Sequence, residues 1–202
     1  MSFAKNEHKQ EQRNKVLISA LECFASKGYD AATMDDIVLH SSVSKGSIYK
    51  LFKSKEEIYI ELMYKYTDEF FEEINLILAK YTTAREKLSS LFIEYLNGQF
   101  DSYKLNSFLV HFELQLYSTR KEQMLKLLEE RRLKRLGIIS KVISEGIQNG
   151  ELKQTHDADV YAEMFWAFFD GAIETKLVFP NFPYEKLVIE QRDVFIKNLA
   201  NN

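Results

Sequence analysis

Residues 44–55 concentrate side chains that suit one kind of chemistry, the binding of an anion. The stretch reads SKGSIYKLFKSK, with four lysines and no acidic residue. Hydroxyl and ammonium groups of this kind are the donors that proteins direct at phosphate oxygens and base edges. Gly46 adds a position where a ligand can approach the backbone closely. The residues of this stretch that we expect to contact an anion are Ser44, Lys45, Gly46, Ser47, Tyr49, Lys50, Lys53 and Lys55.

Charge is also uneven along the whole chain. Residues 1–55 carry nine basic and six acidic side chains, a net charge of +3, whereas residues 56–202 carry a net charge of -6. This asymmetry favours an anionic partner for the N-terminal part. The acidic balance of the remainder fits a cationic lipophilic ligand, and it fits an ordinary solvated surface equally well.

Two short predicted helices with a tight turn between them position the basic stretch. Thr33 begins the first helix, and its hydroxyl and the N–H groups at this helix start suit a phosphate. The second helix covers about residues 44–52 and packs through Ile48, Leu51 and Phe52. The pair predicts a helix-turn-helix, whose second helix enters the major groove of double-stranded DNA. The alternative is a basic surface helix that only packs on the core.

The sequence as a whole predicts an all-α protein of nine helices. The chain has two prolines, Pro180 and Pro183, and seven glycines, which is too little turn punctuation for a β-sandwich or an α/β chain. Apolar residues recur at helical spacing, and Ser or Thr caps precede several segments. The predicted helices cover about residues 9–26, 33–40, 44–52, 55–80, 84–101, 104–117, 120–150, 157–179 and 184–199.

Residues 33–59, TMDDIVLHSSVSKGSIYKLFKSKEEIY, resemble the second to fourth helices of the TetR family of transcriptional regulators. The similarity spans about residues 10–60 and includes the turn at Gly28 and Tyr29. One departure is Ser42, which stands where the family usually has glycine. The positions that agree in register are Thr33, Ile37, Val43, Ser44, Lys45, Gly46, Ile48, Tyr49, Phe52, Ser54, Lys55 and Glu56.

This resemblance implies a homodimeric DNA-binding repressor that a small lipophilic ligand releases from its operator. The operator would be double-stranded and pseudo-palindromic, to match the symmetry of the dimer. The implied architecture is the family's nine-helix fold. It divides into a helix-turn-helix domain at about residues 1–55 and a ligand-binding and dimerisation domain at residues 56–202.

Residues 160–179, VYAEMFWAFFDGAIETKLVF, are apolar on nearly every face of a helix. One neighbouring core cannot cover all of these faces, so a second copy of the chain is the economical cover. We therefore expect a homodimer through the helices of about 157–179 and 184–199, with Phe168 and Phe195 as partner-facing candidates. A central helix in a monomer is the alternative.

Aromatic residues are frequent on the predicted fifth, sixth and eighth helices. They suit an apolar pocket with a few polar anchors, although plain core packing explains any single ring as well. Because a buried carboxylate needs a partner, Asp170 should find a donor in the protein or receive one from a ligand. The candidate pocket residues are Phe92, Tyr95, Phe108, His111, Phe112, Glu113, Tyr117, Trp166, Phe169 and Asp170.

Several other functions lack the residues that they need. Cys23 is the single cysteine and the four histidines are scattered, so no metal site or cofactor is expected. No phosphate loop, nucleophile elbow or catalytic carboxylate pair is present, so we expect no enzyme. The N-terminus lacks the apolar core of a signal peptide, and no apolar run reaches membrane-spanning length, which predicts a cytoplasmic protein.

A second function class stays open at this point. The chain could be a helical binding protein for a lipophilic compound whose helix-turn-helix contacts another protein instead of DNA. The four lysines from Lys45 to Lys55 argue against it, because a protein-contact surface does not need that charge.

Overall fold

The computed structural model of this chain describes residues 2–97, 102–118, 122–154 and 157–200, which form nine α-helices and no strand. The all-α prediction is therefore confirmed. No helix within these ranges is long and apolar enough to cross a membrane. The helices are α1 (Ser2–Lys27), α2 (Met34–Ser41), α3 (Lys45–Leu51), α4 (Lys55–Leu78), α5 (Ala84–Asn97), α6 (Ser102–Ser118), α7 (Glu122–Gln148), α8 (Ala158–Val178) and α9 (Tyr184–Leu199).

Capping residues begin α2 and α5 where the sequence places them. At α2, the Thr33 side chain accepts a hydrogen bond from the Asp36 backbone N–H, and the Asp36 carboxylate accepts one from the Thr33 backbone N–H. Thr83 and Glu86 form the same reciprocal pair before α5. Each pair satisfies backbone donors that a helix start leaves without an internal acceptor. The predicted cap Thr119 lies outside the described residues.

Helix α1 begins at Ser2, earlier than the predicted start near residue 9. The added segment is polar, and its side chains from residue 6 onward are mostly exposed. Lys15 pairs with Glu11 one turn earlier at 2.8 Å, a spacing that supports an exposed helix. A polar helix of this kind has no apolar stripe, which is why periodicity alone missed its first turns.

The chain divides into two compact units. Unit 1 comprises Met1–Asp68 and Asp101–Ser118, and unit 2 comprises Glu69–Phe100 and Thr119–Asn202. This packing division groups α6 with α1 to α3 and with the part of α4 up to Asp68, while the functional boundary near residue 55 stays a prediction. The core of unit 1 is apolar and built largely from the faces of α1 to α4 that meet each other. Among its fully buried side chains are Leu17, Leu21, Phe24, Ile37, Ile48, Phe52, Ile58 and Leu62.

In unit 2, the start of α5 packs against the end of α7. A Cβ added at Gly146 would lie 2.5 Å from the Cβ of Ala84 and 2.8 Å from Leu152, so glycine is required there. The Ala84 backbone N–H donates to the Glu151 carboxylate at 2.6 Å. The start of α5 is thereby fixed against the end of α7 by both packing and a hydrogen bond.

Candidate nucleic-acid interface

The turn between α2 and α3 sets the direction of the basic helix α3. Ser42 ends α2 in the left-handed conformation with φ of 54°. A residue with a side chain enters this region at some cost, which explains the family's preference for glycine at this position. The Ser44 side chain then accepts from the Ser47 backbone N–H at 3.2 Å and starts α3.

Helix α3 has a buried side and an exposed side, as the sequence predicts. Ile48 and Phe52 are completely buried, and Leu51 is buried as well. A Cβ added at Gly46 would meet no atom within 4 Å, so space beside this backbone is open. The exposed side carries Ser44, Lys45, Gly46, Tyr49, Lys50 and, just beyond the helix, Lys53.

Arg13 of α1 holds the far end of α3 in place. Its guanidinium group pairs with the Glu61 carboxylate of α4 and donates to the Leu51 carbonyl at 3.3 Å. The same group lies 4.5 Å from the ring centroid of Phe52. The pairing with Glu61 also raises the pKa of Arg13. One arginine therefore joins three helices behind the exposed face.

Two acidic side chains of α2 each pair with a lysine, one on α3 and one at the end of α1. Asp35 accepts from the Lys45 ammonium at 2.6 Å, and this contact raises the pKa of Lys45. Asp36 accepts from the Lys27 ammonium at 2.5 Å, and this bond together with those from Thr33 holds the pKa of the Asp36 carboxyl well below its usual range. The sequence places Asp36 at capping distance from Thr33, whereas no local pattern predicts the pairing of Asp35 with Lys45.

Thr33 has its polar groups engaged within α2. Its hydroxyl donates to the Asp36 carboxylate at 2.7 Å, and its backbone N–H donates to the same carboxylate at 2.9 Å. These are the groups that were expected to bind a phosphate. In this structure the Asp36 carboxylate takes the place that an external anion would occupy at this helix start.

Lys55 lies under the turn between α1 and α2 instead of on the face of α3. Its ammonium group donates to the backbone carbonyls of Tyr29, Asp30 and Ala32 at 2.7 to 3.1 Å, and it lies 4.6 Å from the ring centroid of Tyr29. Glu113 also binds this turn, where its carboxylate accepts from the Tyr29 backbone N–H at 3.0 Å. Both residues thus fix the turn that precedes α2.

Five of the predicted pocket residues belong to unit 2, where the aromatic rings pack on each other. Phe92 lies 5.1 Å from Phe169, and Tyr95 stacks on Phe169 with centroids 4.0 Å apart. Trp166 meets Phe165 edge to face at 5.0 Å. Phe92, Phe169 and Trp166 are buried. Burial, with Asp170 as a second cause, raises the pKa of Tyr95 well above its ordinary value.

Asp170 finds its donor inside the protein. Arg135 of α7 donates to both carboxylate oxygens, at 2.9 Å and 2.5 Å, in a bidentate pair. The guanidinium group lies 5.2 Å from the ring centroid of Trp166, whose indole N–H donates to the Arg135 carbonyl at 3.0 Å. Arg135 was not singled out from the sequence, where it is one of four cations in residues 131–135.

The other predicted pocket residues belong to α6 in unit 1. Phe108 and Phe112 lie on one helix face with ring centroids 6.5 Å apart, and His111 is 5.6 Å from Phe112. Glu113 is engaged with the turn at Tyr29, as described above. The side chain of Tyr117 lies outside the described residues.

Two family models match this chain. The model described as bacterial regulatory proteins, tetR family, matches residues 16–62, which include the whole of α2 and α3. The model described as tetracyclin repressor-like, C-terminal domain, matches residues 87–182. QacR of Staphylococcus aureus, a helix-turn-helix transcriptional regulator, is 33% identical over 69% of this chain and 72% of its own length. The chain belongs to the TetR family.

Two further similarities are to regulators whose names refer to fatty acids or to an acyl-CoA ligand. The fatty acid metabolism regulator protein of Bacillus subtilis is 27% identical over 83% of this chain and 84% of its own length. A crystal structure of the regulator FadR from Bacillus subtilis in complex with stearoyl-CoA superposes with a TM-score of 0.75. It is 25% identical and covers 91% of this chain and 97% of that one.

Membership in the TetR family confirms the sequence-based interpretation of this chain as a transcriptional regulator with a helical ligand-binding part. Members of this family bind operator DNA, dimerise and bind small molecules. The alternative of a binding protein without a DNA function has no support among these relatives. The individual DNA-contacting and pocket residues of this chain remain predictions.

Proposed function

We propose that this chain is a repressor that binds a pseudo-palindromic DNA operator as a homodimer and leaves it when a small lipophilic molecule binds. The exposed side of α3 is the observation that carries the DNA part of the proposal. It presents Lys45, Tyr49 and Lys50 to solvent, while Ile48 and Phe52 anchor the helix in the core. Cations and a hydroxyl on one face of a helix match the acceptors of the major groove and its phosphates.

Selection of bound duplexes from a random DNA library would test this proposal. The recovered operator should lose affinity for Lys45→Ala/Lys50→Ala, and its salt slope should fall by about one unit for each lost phosphate contact. Lys141→Ala is the matched control, because this exposed lysine of α7 carries the same charge outside unit 1. Unchanged operator affinity and salt slope in the double variant would show that α3 does not contact DNA.

The outer face of α8 supports the homodimer. Its buried side packs through Phe165, Trp166 and Phe169, yet the opposite side is also apolar. That second side exposes apolar or small side chains at helical spacing over three turns, at Val160, Met164, Ala167 and Gly171, and Glu174 follows them before Val178. On α9, Leu187 and Val194 are exposed two turns apart. A second copy of the chain would remove these side chains from water.

The partner-facing candidates named from the sequence need one correction. Phe195 is only 2% exposed, and its ring lies 5.7 Å from Phe92 and 5.9 Å from Phe165. It is a core residue of unit 2, so a charge placed there would unfold the core before it could separate subunits. Met164 is the better test position, because it lies in the exposed stripe of α8.

A lipophilic effector is supported by the relatives concerned with fatty acids and by the aromatic content of unit 2. A positive charge on the effector has less support, since Arg135 already neutralises the Asp170 carboxylate. Asp170 therefore gives no reason to expect a cation. The effector acts on expression if it binds better to a state of low operator affinity.

Trp166 is the one tryptophan and reports on unit 2 without a label. Stearoyl-CoA should change Trp166 fluorescence and lower operator affinity with one shared dissociation constant, whereas coenzyme A without the acyl chain should do neither. A fluorescence change at saturation without any effect on operator affinity would show that the ligand binds unit 2 but does not regulate DNA binding.

A further inference from the structure

Asp35 and Lys45 form an ion pair across the helix-turn-helix. Asp35 lies in the first turn of α2 and Lys45 is the first residue of α3, and their charged atoms are 2.6 Å apart. Both side chains are exposed, at 71% and 60% respectively. The pair therefore lies at the surface, where it can open without any rearrangement of the core.

This ion pair engages the ammonium group of Lys45, one of the cations of the proposed DNA interface. Lys45 belongs to the same exposed face as Tyr49 and Lys50, and its ammonium group lies 5.9 Å from the Tyr49 ring centroid. An ammonium group held by a carboxylate contributes little net charge toward a phosphate. Asp35 also carries its own negative charge next to that face, which opposes the approach of any DNA.

We propose that Asp35 is a specificity-determining residue that masks Lys45 on random DNA and releases it only on the operator. The inference rests on the proposed DNA-binding function. On random DNA, contacts come from phosphates at no fixed position, so Lys45 stays with Asp35. On the operator, a fixed register places acceptors within reach of Lys45, and the pair opens. Asp35 thus acts through Lys45 as a positioning residue.

The salt dependence of binding distinguishes masked from contacting lysines, because each phosphate contact contributes about 0.9 to the slope of log affinity against log salt. Asp35→Asn should unmask Lys45 on a random-sequence duplex. It should therefore steepen the slope on that duplex by about one unit and raise affinity roughly eightfold at 0.1 M salt. On the selected operator, the slope should change by much less, because Lys45 is already in contact.

Substitution of the other partner, Lys45, should change the salt slope on the operator and not on random DNA. Lys45→Gln should leave the slope on random DNA unchanged and should make the slope on the operator shallower by about one unit. In the Lys45→Gln background, Asp35→Asn should no longer steepen the slope on random DNA. Asp35→Glu keeps the carboxylate and should behave like the original protein on both duplexes.

Glu22→Gln is the matched control, since it removes an exposed acid of α1 in the same unit. If it raises affinity for random DNA as much as Asp35→Asn does, the effect is one of net charge and the proposal is wrong. The proposal is also wrong if Asp35→Asn leaves random DNA unaffected, or if it abolishes operator binding alone, as expected for a carboxylate that reads cytosine. Melting temperatures of the variants should match that of the original protein.

These outcomes are separate from failure of the proposed function. A chain that does not bind DNA at all would show no salt-dependent affinity for either duplex, with or without Asp35. If the protein selects an operator and Lys45→Ala/Lys50→Ala abolishes that binding, the proposed function holds. If Asp35→Asn and Glu22→Gln then change the affinity for random DNA equally, the proposed role of Asp35 is wrong.

Discussion

Helices α3 and α8 both leave one face exposed, but the two faces differ in chemistry. The exposed face of α3 carries lysines, a tyrosine and an open glycine, and the helix has only seven residues. The exposed face of α8, a helix of 21 residues, carries Val160 and Met164 in its first half and Val178 at its end, with Glu174 between them. The first face suits a partner with phosphates, whereas the second suits an apolar surface such as another copy of the same helix.

The two units that contain these helices are also held together differently. In unit 1, hydrogen bonds to backbone groups position α2 and α3: the cap at Thr33, the lysine beneath Tyr29 and the arginine at Leu51. In unit 2, α8 is positioned by rings that pack around Phe92 and Phe169 and by the Arg135–Asp170 pair with α7. We therefore expect substitutions of polar side chains to change the geometry of the DNA interface. Substitutions that change side-chain volume should instead change the stability of unit 2.

The largest expected effect concerns the outer face of α8. Met164→Glu should convert the dimer to monomers, because an unpaired charge buried in an interface costs about 3–5 kcal/mol for each copy. Sedimentation at micromolar concentration measures this directly, and operator affinity should fall with it. Leu133→Glu is the control, since Leu133 on α7 is 53% exposed and Met164 is 48% exposed. A dimer that survives Met164→Glu but not Leu133→Glu would move the interface to α7.

A smaller effect concerns packing in unit 2. Gly146→Ala should lower the free energy of unfolding by about 1–3 kcal/mol, because its Cβ would overlap Ala84 and Leu152. Gly137→Ala lies in the same helix with no atom within 4 Å of the added Cβ, so it should raise stability by about 0.5–1 kcal/mol. Denaturant unfolding of the two variants should therefore give shifts of opposite sign, and equal shifts would contradict the packing argument.

The third prediction separates two neighbouring lysines. Lys55→Met should lower the free energy of unfolding by about 2 kcal/mol, because it leaves the carbonyls of Tyr29, Asp30 and Ala32 without their charged donor. Lys53→Met removes an exposed charge and should change stability by less than about 0.5 kcal/mol. It should instead make the salt slope of DNA binding shallower. Thermal melting and salt titration of both variants measure the contrast.

The smallest effect concerns the turn before α3. Ser42→Gly should raise the free energy of unfolding by about 0.5–1 kcal/mol, because glycine adopts the left-handed conformation without the steric cost that serine pays. Ser44→Gly, at the cap of α3, should lower it by a few tenths of a kcal/mol. Melting temperatures that fall for both substitutions would show that Ser42 is not strained.

The sequence by itself was sufficient for the nine helices, the helix-turn-helix and the two sides of α3. These features depend on local signals, such as Thr33 with Asp36 at a helix start or Ile48 and Phe52 at helical spacing. Such signals act over one or two turns, so a reader of the sequence has every residue that matters. The same local character explains why the TetR-family resemblance was visible in residues 10–60.

Tertiary structure decided which partner each charged side chain takes. Lys55 lies 23 to 26 residues from the carbonyls that it binds, Glu113 is 84 residues from Tyr29, and Arg135 is 35 residues from Asp170. No local pattern records such pairs, because the energy of an ion pair or hydrogen bond depends on distance in space. The sequence could therefore count the lysines of the DNA interface, but only the folded chain distinguishes Lys50 at the surface from Lys45 beside Asp35 and from Lys55 beneath a turn.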